Sequence, residues 1–367
     1  GRRHTLKLKV TDCTDKWFQP RGKQVSNPEG IWYTAVTGIW QTVWMEPVPA
    51  SHVDSYYAVP DIDAGTLAVS VDAALEDGDM VEVVLLADGA PVAKAEGREV
   101  VLPVPDMKLW SPADPYLYDL EIKVLRDGAA IDYVKGYAAM RKISYARDKA
   151  GHKRMLLNNK PLFQYGPLDQ GWWPDGLYTA PSDEALAFDI EKTKEMGFNL
   201  IRKHVKVEPA RWYWHCDRLG MLVWQDMPSV KHGDNKWGRH AYDTGTDSQI
   251  TQEGKDNYYN EWGQIINDFK VFPSIVVWVP FNEAWGQFDT DAVVKFTREQ
   301  DPTRLINYAS GGNFERCSGD ILDLHNYPDP EMYLYDPEYI NVLGEYGGIG
   351  WPVEGHLWQP DQNWGYI

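Results

Sequence analysis

The sequence predicts a multidomain chain. Its C-terminal part reads as a (β/α)8 TIM barrel cut short after the seventh strand, preceded by an immunoglobulin-like β-sandwich and by the end of another all-β domain. Three observations predict this. Residues 51–144 carry short alternating runs separated by turn signals, the rhythm of a sandwich. From residue 145 onward, strand-like runs alternate with helix-like ones, which argues for a parallel sheet. Within that part, Ile275-Val276-Val277-Trp278-Val279 is an unbroken apolar run, β-branched except for Trp278, of the kind a parallel strand buried on both faces requires.

In chain order, residues 1–50 offer two strand candidates, 6–10 and 37–46, too few for an independent unit. The sandwich candidates are 65–72, 80–87, 99–104, 116–125 and 131–137, divided by Asp-Gly turns such as Asp88-Gly89 and Asp127-Gly128. A supporting role is the default for this domain, because no chemistry-bearing motif falls in it. The barrel, residues 145–367, has strand candidates at 162–166, 199–202, 221–225, 275–280, 305–309, 321–325 and 341–345. One helix begins after Ser182, a natural N-cap followed by Asp183 and Glu184, and stops at Gly197. The next runs from Pro209 to Leu219 and stops at Gly220. A barrel needs an eighth strand, so the natural chain is expected to continue beyond Ile367. The polar stretch 226–254 reads as a long functional or mobile loop.

Composition excludes several classes. A formal charge of −18 over 367 residues opposes nonspecific binding to nucleic acid or to anionic membranes. No apolar run is long enough for a membrane span. Cys13, Cys216 and Cys317 are too widely spaced for a disulfide framework or a zinc site. They leave the compartment undecided, with a periplasmic or secreted location favoured over the cytoplasm. No metal-binding motif is present, and no cofactor is called for. Aromatic content is the informative deviation: the chain has 17 Trp and 21 Tyr, many in loop-like contexts such as Trp172-Trp173, Trp285, Trp351, Trp358 and Trp364. Flat rings of this kind suit the C–H faces of sugars, although core packing accounts for about half of them.

The chemistry concentrates at two strand ends. Glu283 follows the fourth barrel strand in Pro280-Phe281-Asn282-Glu283-Ala284-Trp285, and Glu345 ends the seventh in Gly344-Glu345-Tyr346-Gly347-Gly348. Both would stand on the face where barrel enzymes keep their active sites. Two facing carboxyls are the minimum apparatus for cleaving a glycosidic bond. The competing reading for either acid is a salt bridge under a loop. Lys203, His204 and Lys206 follow the second strand and suit an anionic sugar, but pairing with local acids competes. Asp169, Asp226 and His325 are candidates for sugar hydroxyls, against ordinary loop capping.

These motifs resemble glycoside hydrolase family 2. The resemblance rests on Asn282-Glu283, on Gly344-Glu345-Tyr346-Gly347-Gly348, on Asn199-x-x-Arg202, and on Leu109-Trp110-Ser111-Pro112-x-x-Pro115-x-Leu117-Tyr118 in the sandwich, and it covers essentially the whole chain. That family includes β-galactosidases, β-glucuronidases and β-mannosidases. The resemblance implies that residues 1–50 end a sugar-binding jelly roll, and it implies a retaining mechanism. Glu283 would be the acid/base and Glu345 the nucleophile. Asn282 would bind the sugar 2-hydroxyl, Arg202 would hold the nucleophile ionised, and Tyr327 would stand beside it. Trp285, His325, Asp169 and His204 complete the expected substrate-binding set. The branch is less marked. Val223-Trp224-Gln225-Asp226 is closer to mannosidases, and the loop after strand 1 lacks the His-rich character of galactosidases. The expected activity is an exo-acting retaining β-glycosidase of β-galactosidase type on oligosaccharide or polysaccharide-derived substrates. A β-glucuronidase, a β-mannosidase or a non-catalytic sugar-binding relative is the alternative, and a homo-oligomer is left open.

Overall fold

The computed structural model describes residues 3–230, 233–355 and 365. Trp358 and Trp364, two of the expected sugar-facing rings, lie outside the described residues.

The N-terminal segment contains one small parallel pair, β1 (Gln24–Val25) and β2 (Tyr33–Thr34). The strands expected at 6–10 and 37–46 do not form; both stretches are largely exposed and join no sheet among the described residues. Alternation alone does not make a strand when no neighbouring strand offers a ladder.

The sandwich has seven strands, two more than expected. One sheet holds β3 (His52–Asp61), β4 (Thr66–Ala74) and β7 (Glu99–Pro103); the other holds β5 (Met80–Ala87), β6 (Ala90–Glu96), β8 (Tyr118–Arg126) and β9 (Ala129–Ala138). The two unforeseen strands, β3 and β6, lie at sheet edges and contribute no fully buried residue, so their hydrophobic alternation is weak. Leu67, Val69, Val83, Leu85, Leu102, Leu120 and Ile122 fill the space between the sheets.

A small antiparallel sheet, β10 (Ile143–Arg147), β11 (Lys153–Leu157) and β12 (Lys160–Pro161), leads into the barrel. The barrel strands are β13 (Leu168–Asp169), β14 (Leu200–Lys203), β15 (Leu222–Asp226), β16 (Ile275–Val279), β17 (Leu305–Ile306), β18 (Ile321–His325) and β19 (Ile340–Glu345). The first falls later than expected: residues 162–166 meet the start of β14 through one backbone bond, from the Asn199 amide to Tyr165 O (3.0 Å), and strand pairing begins at Leu168. Helices α1 (Asp183–Glu195), α2 (Ala210–Leu219), α3 (Gln252–Phe269) and α4 (Thr290–Gln300) follow the first four strands. Ser182 caps α1 as expected, accepting from the Ala185 amide, and Gly220 ends α2 in the left-handed conformation. After β17 and β18 the connections contain no helix among the described residues, a departure from strict alternation.

Strand β16 is buried along its whole length, as its apolar run requires. Ile275 and Trp278 pack toward the helices with Trp262, Ile266 and Val294. Val276, Val277 and Val279 join Leu222, Trp224 and Ile321 in a cluster that also takes in Trp110 from the sandwich side. Each such side chain contributes on the order of 2 kcal/mol on burial, so the strand that leads to Glu283 is anchored at both faces. The seven strands form a five-stranded piece and a two-stranded piece, linked by the bridge Asn307–Ile321. The outer edges of β13 and β19 do not pair with each other. Between them lies a cavity of about 830 Å³ lined by Leu162, Tyr165, Leu200, Trp224, Leu343 and Tyr346.

The sandwich meets the barrel at the N-terminal end of β16. Arg141 donates to the carbonyls of Pro273 (2.9 Å) and Ile275 (3.2 Å), and the Trp110 indole donates to the Asp217 carbonyl at 2.8 Å. The domain thus props the barrel at the end of β16 opposite Glu283.

Candidate active site

The chain past β16 continues as Pro280-Phe281-Asn282-Glu283, and Asn282 bridges Ser310 beyond β17. Glu283 (φ 48°) and Ala284 (φ 61°) are both left-handed, a conformation that costs a non-glycine residue roughly 1 kcal/mol or more. The Glu283 amide donates to Ser310 O (2.8 Å) and the Trp285 amide to Asn282 O (2.9 Å), which hold the turn. This turn brings Glu283, half-buried, up to the end of β18. On the other side the β18–β19 register slips between Leu324 and His325, so that His325 stands opposite Glu345.

Arg202 organises the centre. Its Nη1 donates to Glu345 Oε1 (2.9 Å), Nε to Asp226 Oδ1 (3.0 Å), and Nη2 to both Asp226 Oδ2 (2.9 Å) and Asn282 Oδ1 (2.7 Å). The side chains of Arg202, Asp226, Asn282 and Glu345 are all buried. Tyr327 donates to Glu345 Oε2 at 2.6 Å. Burial alone would raise the Glu345 pKa. The charges of His325, Arg202 and His204, with the Tyr327 hydroxyl, overcome that and hold it at about 2.

His325 sits between the acids, with Nδ1 at 3.1 Å from Glu283 Oε1 and 3.4 Å from Glu345 Oε2. Its Nε2 lies 2.8 Å from Ser310 Oγ, which itself donates to Asp323 Oδ2 at 2.6 Å. Since the serine proton goes to Asp323, His325 Nε2–H must be the donor to Ser310. Burial lowers the His325 pKa, but Glu345, Glu283 and Asp323 more than offset it, so the net shift is upward. An imidazolium donating toward both acids satisfies all these partners.

Ligand atoms of Glu283, His325 and Glu345 lie within 4.8 Å of one another, the one such group among the described residues. Two carboxylates and an imidazole could hold a divalent ion. However, His325 already donates toward both acids, and the Arg202 guanidinium adjoins Glu345, so the donor set suits proton transfer better than a dication.

Every expected residue lies at this end of the barrel, but not all join the acid pair. His204 is buried and bonds Asp226 through Nδ1 at 3.1 Å, with burial lowering its pKa. Trp285 is half-buried, its ring 6.3 Å from His204 and 4.9 Å from Trp32. Asp169 belongs to a neighbouring ion cluster: Lys203 pairs with it at 2.7 Å and with Glu208 at 3.0 Å, and Lys206 pairs with Glu208 at 3.0 Å. The lysines after strand 2 are therefore taken up by local acids. The expected loop aromatics divide likewise. Trp172 stacks on Tyr33 (4.5 Å), whereas Trp351 is exposed.

Sequence reasoning missed Ser310, Asp323 and Lys23. Asp323 had a signal, a lone acid inside the apolar run Ile321-Leu322-Asp323-Leu324. Lys23 had none, since it lies in a polar segment outside every strand the sequence predicts.

A parallel barrel with two carboxyls, an arginine and an imidazole gathered at the C-terminal ends of its strands defines the class: a barrel of the enzyme type, with its functional groups on the catalytic face. The family follows from comparison with known proteins. Residues 150–337 match the model of the TIM barrel domain of glycosyl hydrolases family 2, and residues 51–141 match a second model of the same family. The chain belongs to glycoside hydrolase family 2. It is 24% identical to a β-galactosidase of Halalkalibacterium halodurans over 90% of this chain and 34% of that protein. It is 27% identical to a putative β-glucuronidase of Formosa agariphila over 85% of this chain and 40% of that protein. The chain spans about a third of the length of the curated relatives it matches. Among solved structures, a β-D-glucuronidase of Dictyoglomus thermophilum superposes with TM-score 0.62 at 22% identity, covering 76% of this chain and 48% of that one. A Ruminococcus gnavus β-glucuronidase gives TM-score 0.64 at 21% identity, with the same coverage. These likenesses establish the fold.

Proposed function

We propose that this protein is a retaining exo-β-glycosidase with Glu283 as acid/base and Glu345 as nucleophile. The observation that carries the reading is the state of Glu345: buried, held by Arg202 and Tyr327, ionised with a pKa of about 2, and facing Glu283 across His325. A carboxylate kept charged in a buried site is suited to attack a sugar carbon. Carboxyl oxygens within 4.8 Å of each other fit the short separation of retaining enzymes, roughly 5–5.5 Å, better than the wider gap that admits a water.

In this reading Glu283 gives its proton to the glycosidic oxygen as Glu345 bonds the anomeric carbon and the leaving group departs. Glu283 then takes a proton from water, which displaces Glu345 and releases the sugar. Asn282 Oδ1 is held by Arg202, while its buried Nδ2 has no partner among the described residues and is available to a sugar hydroxyl. Trp285 and its neighbour Trp32 offer ring faces to the sugar. β-Galactosides, suggested by the Halalkalibacterium halodurans relative, are the first substrates to test, with β-glucuronides, suggested by the Formosa agariphila relative, the alternative. The reading extends to the domains: residues 1–50 as the end of a sugar-binding jelly roll, 51–144 as the sandwich, and 145–367 as the barrel, with the seam between β13 and β19 as the place of an eighth strand.

The test is Glu345→Gln and Glu283→Gln in the full-length protein, assayed on nitrophenyl β-glycosides. Each should keep its fold by circular dichroism and lose about 10³-fold or more in kcat/KM. The first sugar released by the wild type should keep its anomeric configuration by NMR. Full activity in both variants, or an inverted product, would sink the proposal.

A further inference from the structure

We propose that Lys23, carried by the segment before the sandwich, is a specificity-determining contact of the sugar subsite that binds an anionic group on the substrate, a uronate carboxylate or a sulfate ester. This rests on the glycosidase reading above and narrows its substrate class.

The segment is built onto the barrel. The amides of Arg21 and Gly22 both donate to Ser229 O, at 3.0 and 3.2 Å, just past β15. Gly22 has φ +58° and lies so close to the Val205 carbonyl beyond β14 that any side chain there would collide with it. The Lys23 carbonyl accepts from the Tyr33 amide at 2.9 Å, within the β1–β2 pair. Tyr33 and Trp32 in turn pack on Trp172 and Trp285. Lys23 is therefore fixed between the ends of two barrel strands on the catalytic face.

Its surroundings are unusual for a buried cation. Lys23 is 7% exposed, and no carboxylate lies within 4.0 Å of its ammonium among the described residues. The Trp285 ring, two residues beyond Glu283, lies 5.9 Å from its Nζ. Arg202, Lys203 and Lys206 are equally buried, yet each touches an acid. The Trp285 ring that Lys23 adjoins lies 6.3 Å from the His204 ring, whose Nδ1 is 4.0 Å from Glu345 Oε1, so the ammonium stands on the side of the site that holds the acids. Burial depresses its pKa, Glu345 and Glu283 raise it, and Arg202 lowers it further. A largely buried ammonium on this side of Trp285, paired with no acid among the described residues, leaves its donors to whatever fills the pocket. An anion is the group that best satisfies them, and a charge-assisted bond there is stronger than one to a neutral hydroxyl.

The experiment compares kcat/KM of the full-length protein on nitrophenyl β-glucuronide, β-galacturonide and 6-sulfo-β-galactoside against the neutral β-glucoside and β-galactoside. The wild type should favour at least one anionic substrate by about tenfold or more. Lys23→Gln should lower the anionic-to-neutral ratio about 10–100-fold, mainly through KM, and Lys23→Arg should recover part of it. The uronides and the sulfate distinguish the two sources of charge. Preference for neutral substrates, or an equal loss on both classes with a displaced pH profile, would overturn the subsite and leave Lys23 acting only on the acids. Absence of turnover on every glycoside would fell the glycosidase reading. In that case tighter calorimetric binding of D-glucuronate than of D-glucose, abolished in Lys23→Gln, would still support the anion site, and equal binding would refute it.

Discussion

At the scale of single residues, Arg202 is the group on which the site depends. One guanidinium satisfies Glu345, Asp226 and Asn282 together, and all are buried. Removing its charge leaves two buried carboxylates without their cation, a change that typically destabilises by about 3–5 kcal/mol. Arg202→Gln should therefore lower the melting temperature by several degrees. It should also raise the Glu345 pKa from about 2 toward the ordinary range. The sign follows: Glu345 binds its proton less readily folded than unfolded, so the stability it brings is present above about 4.5 and is lost as pH falls toward about 2. In Arg202→Gln that acid-side loss, and the acid limb of kcat/KM, should both move to higher pH. An unmoved limb would show that Arg202 does not keep Glu345 charged. Much of this centre was legible in the sequence, because Asn282-Glu283, Arg202 and Glu345 sit at the ends of recognisable apolar strands. Ser310, Asp323 and Lys23 act through contacts between distant segments, and a single sequence carries no distance. The lysines after strand 2 illustrate the converse: their positions suggested substrate, but Asp169 and Glu208 occupy them.

At the scale of elements, pattern succeeded where burial is two-sided and failed where it is slight. The apolar run of β16 and the Ser182 and Gly220 signals around α1 and α2 were readable because each has one dominant physical cause. Edge strands β3 and β6, and the two-residue ladder of β13, depend on a partner rather than on their own composition. The joint between sandwich and barrel was invisible for the same reason, and it carries its own prediction. Asp217, on α2, is fully buried and accepts from Tyr137 of the sandwich (2.7 Å) and from the Ser274 amide (2.7 Å). Burial raises its pKa to about 7, against the pull of those hydrogen bonds and of Arg141. Folded Asp217 thus binds its proton more readily than the unfolded chain, whose value is near 3.8, so stability is lost as pH rises from about 4 to about 7. Asp217→Asn keeps an acceptor for Ser274 and an amide that can meet the Tyr137 hydroxyl, and it cannot ionise. The variant should gain on the wild type as pH rises through that window, by at most about 4 kcal/mol. A melting-temperature difference that does not change with pH would remove Asp217 from the account.

At the scale of the whole fold, residues 1–367 support the site from two directions and leave a seam on a third. The sandwich props the far end of β16 through Arg141 and Trp110, and the segment around Lys23 covers the ends of β14 and β15. The open side is the seam between β13 and β19, where Phe163 stands 83% exposed and a cavity of about 830 Å³ separates the two edges. In a parallel sheet the amides of a strand point alternately to its two neighbours, so a strand with only one neighbour leaves about half of them without a ladder partner. Local openings at such an edge require much less free energy than unfolding of the centre. In a polypeptide of residues 1–367, hydrogen–deuterium exchange followed by mass spectrometry should therefore rank the strands. Peptides covering β15 and β16, paired on both sides, should stay protected longest; those covering residues 162–169 and β19 should exchange earlier, with the inward-paired half of β19 trailing the outward half. Glu345 ends that edge strand, so it rests on the less protected wall while Glu283 rests on the most protected one. A ligand bridging the two acids should slow exchange in β19 far more than in β16. Equal protection across all these strands would mean that the seam is filled, and that the site is as firmly held on the Glu345 side as on the Glu283 side.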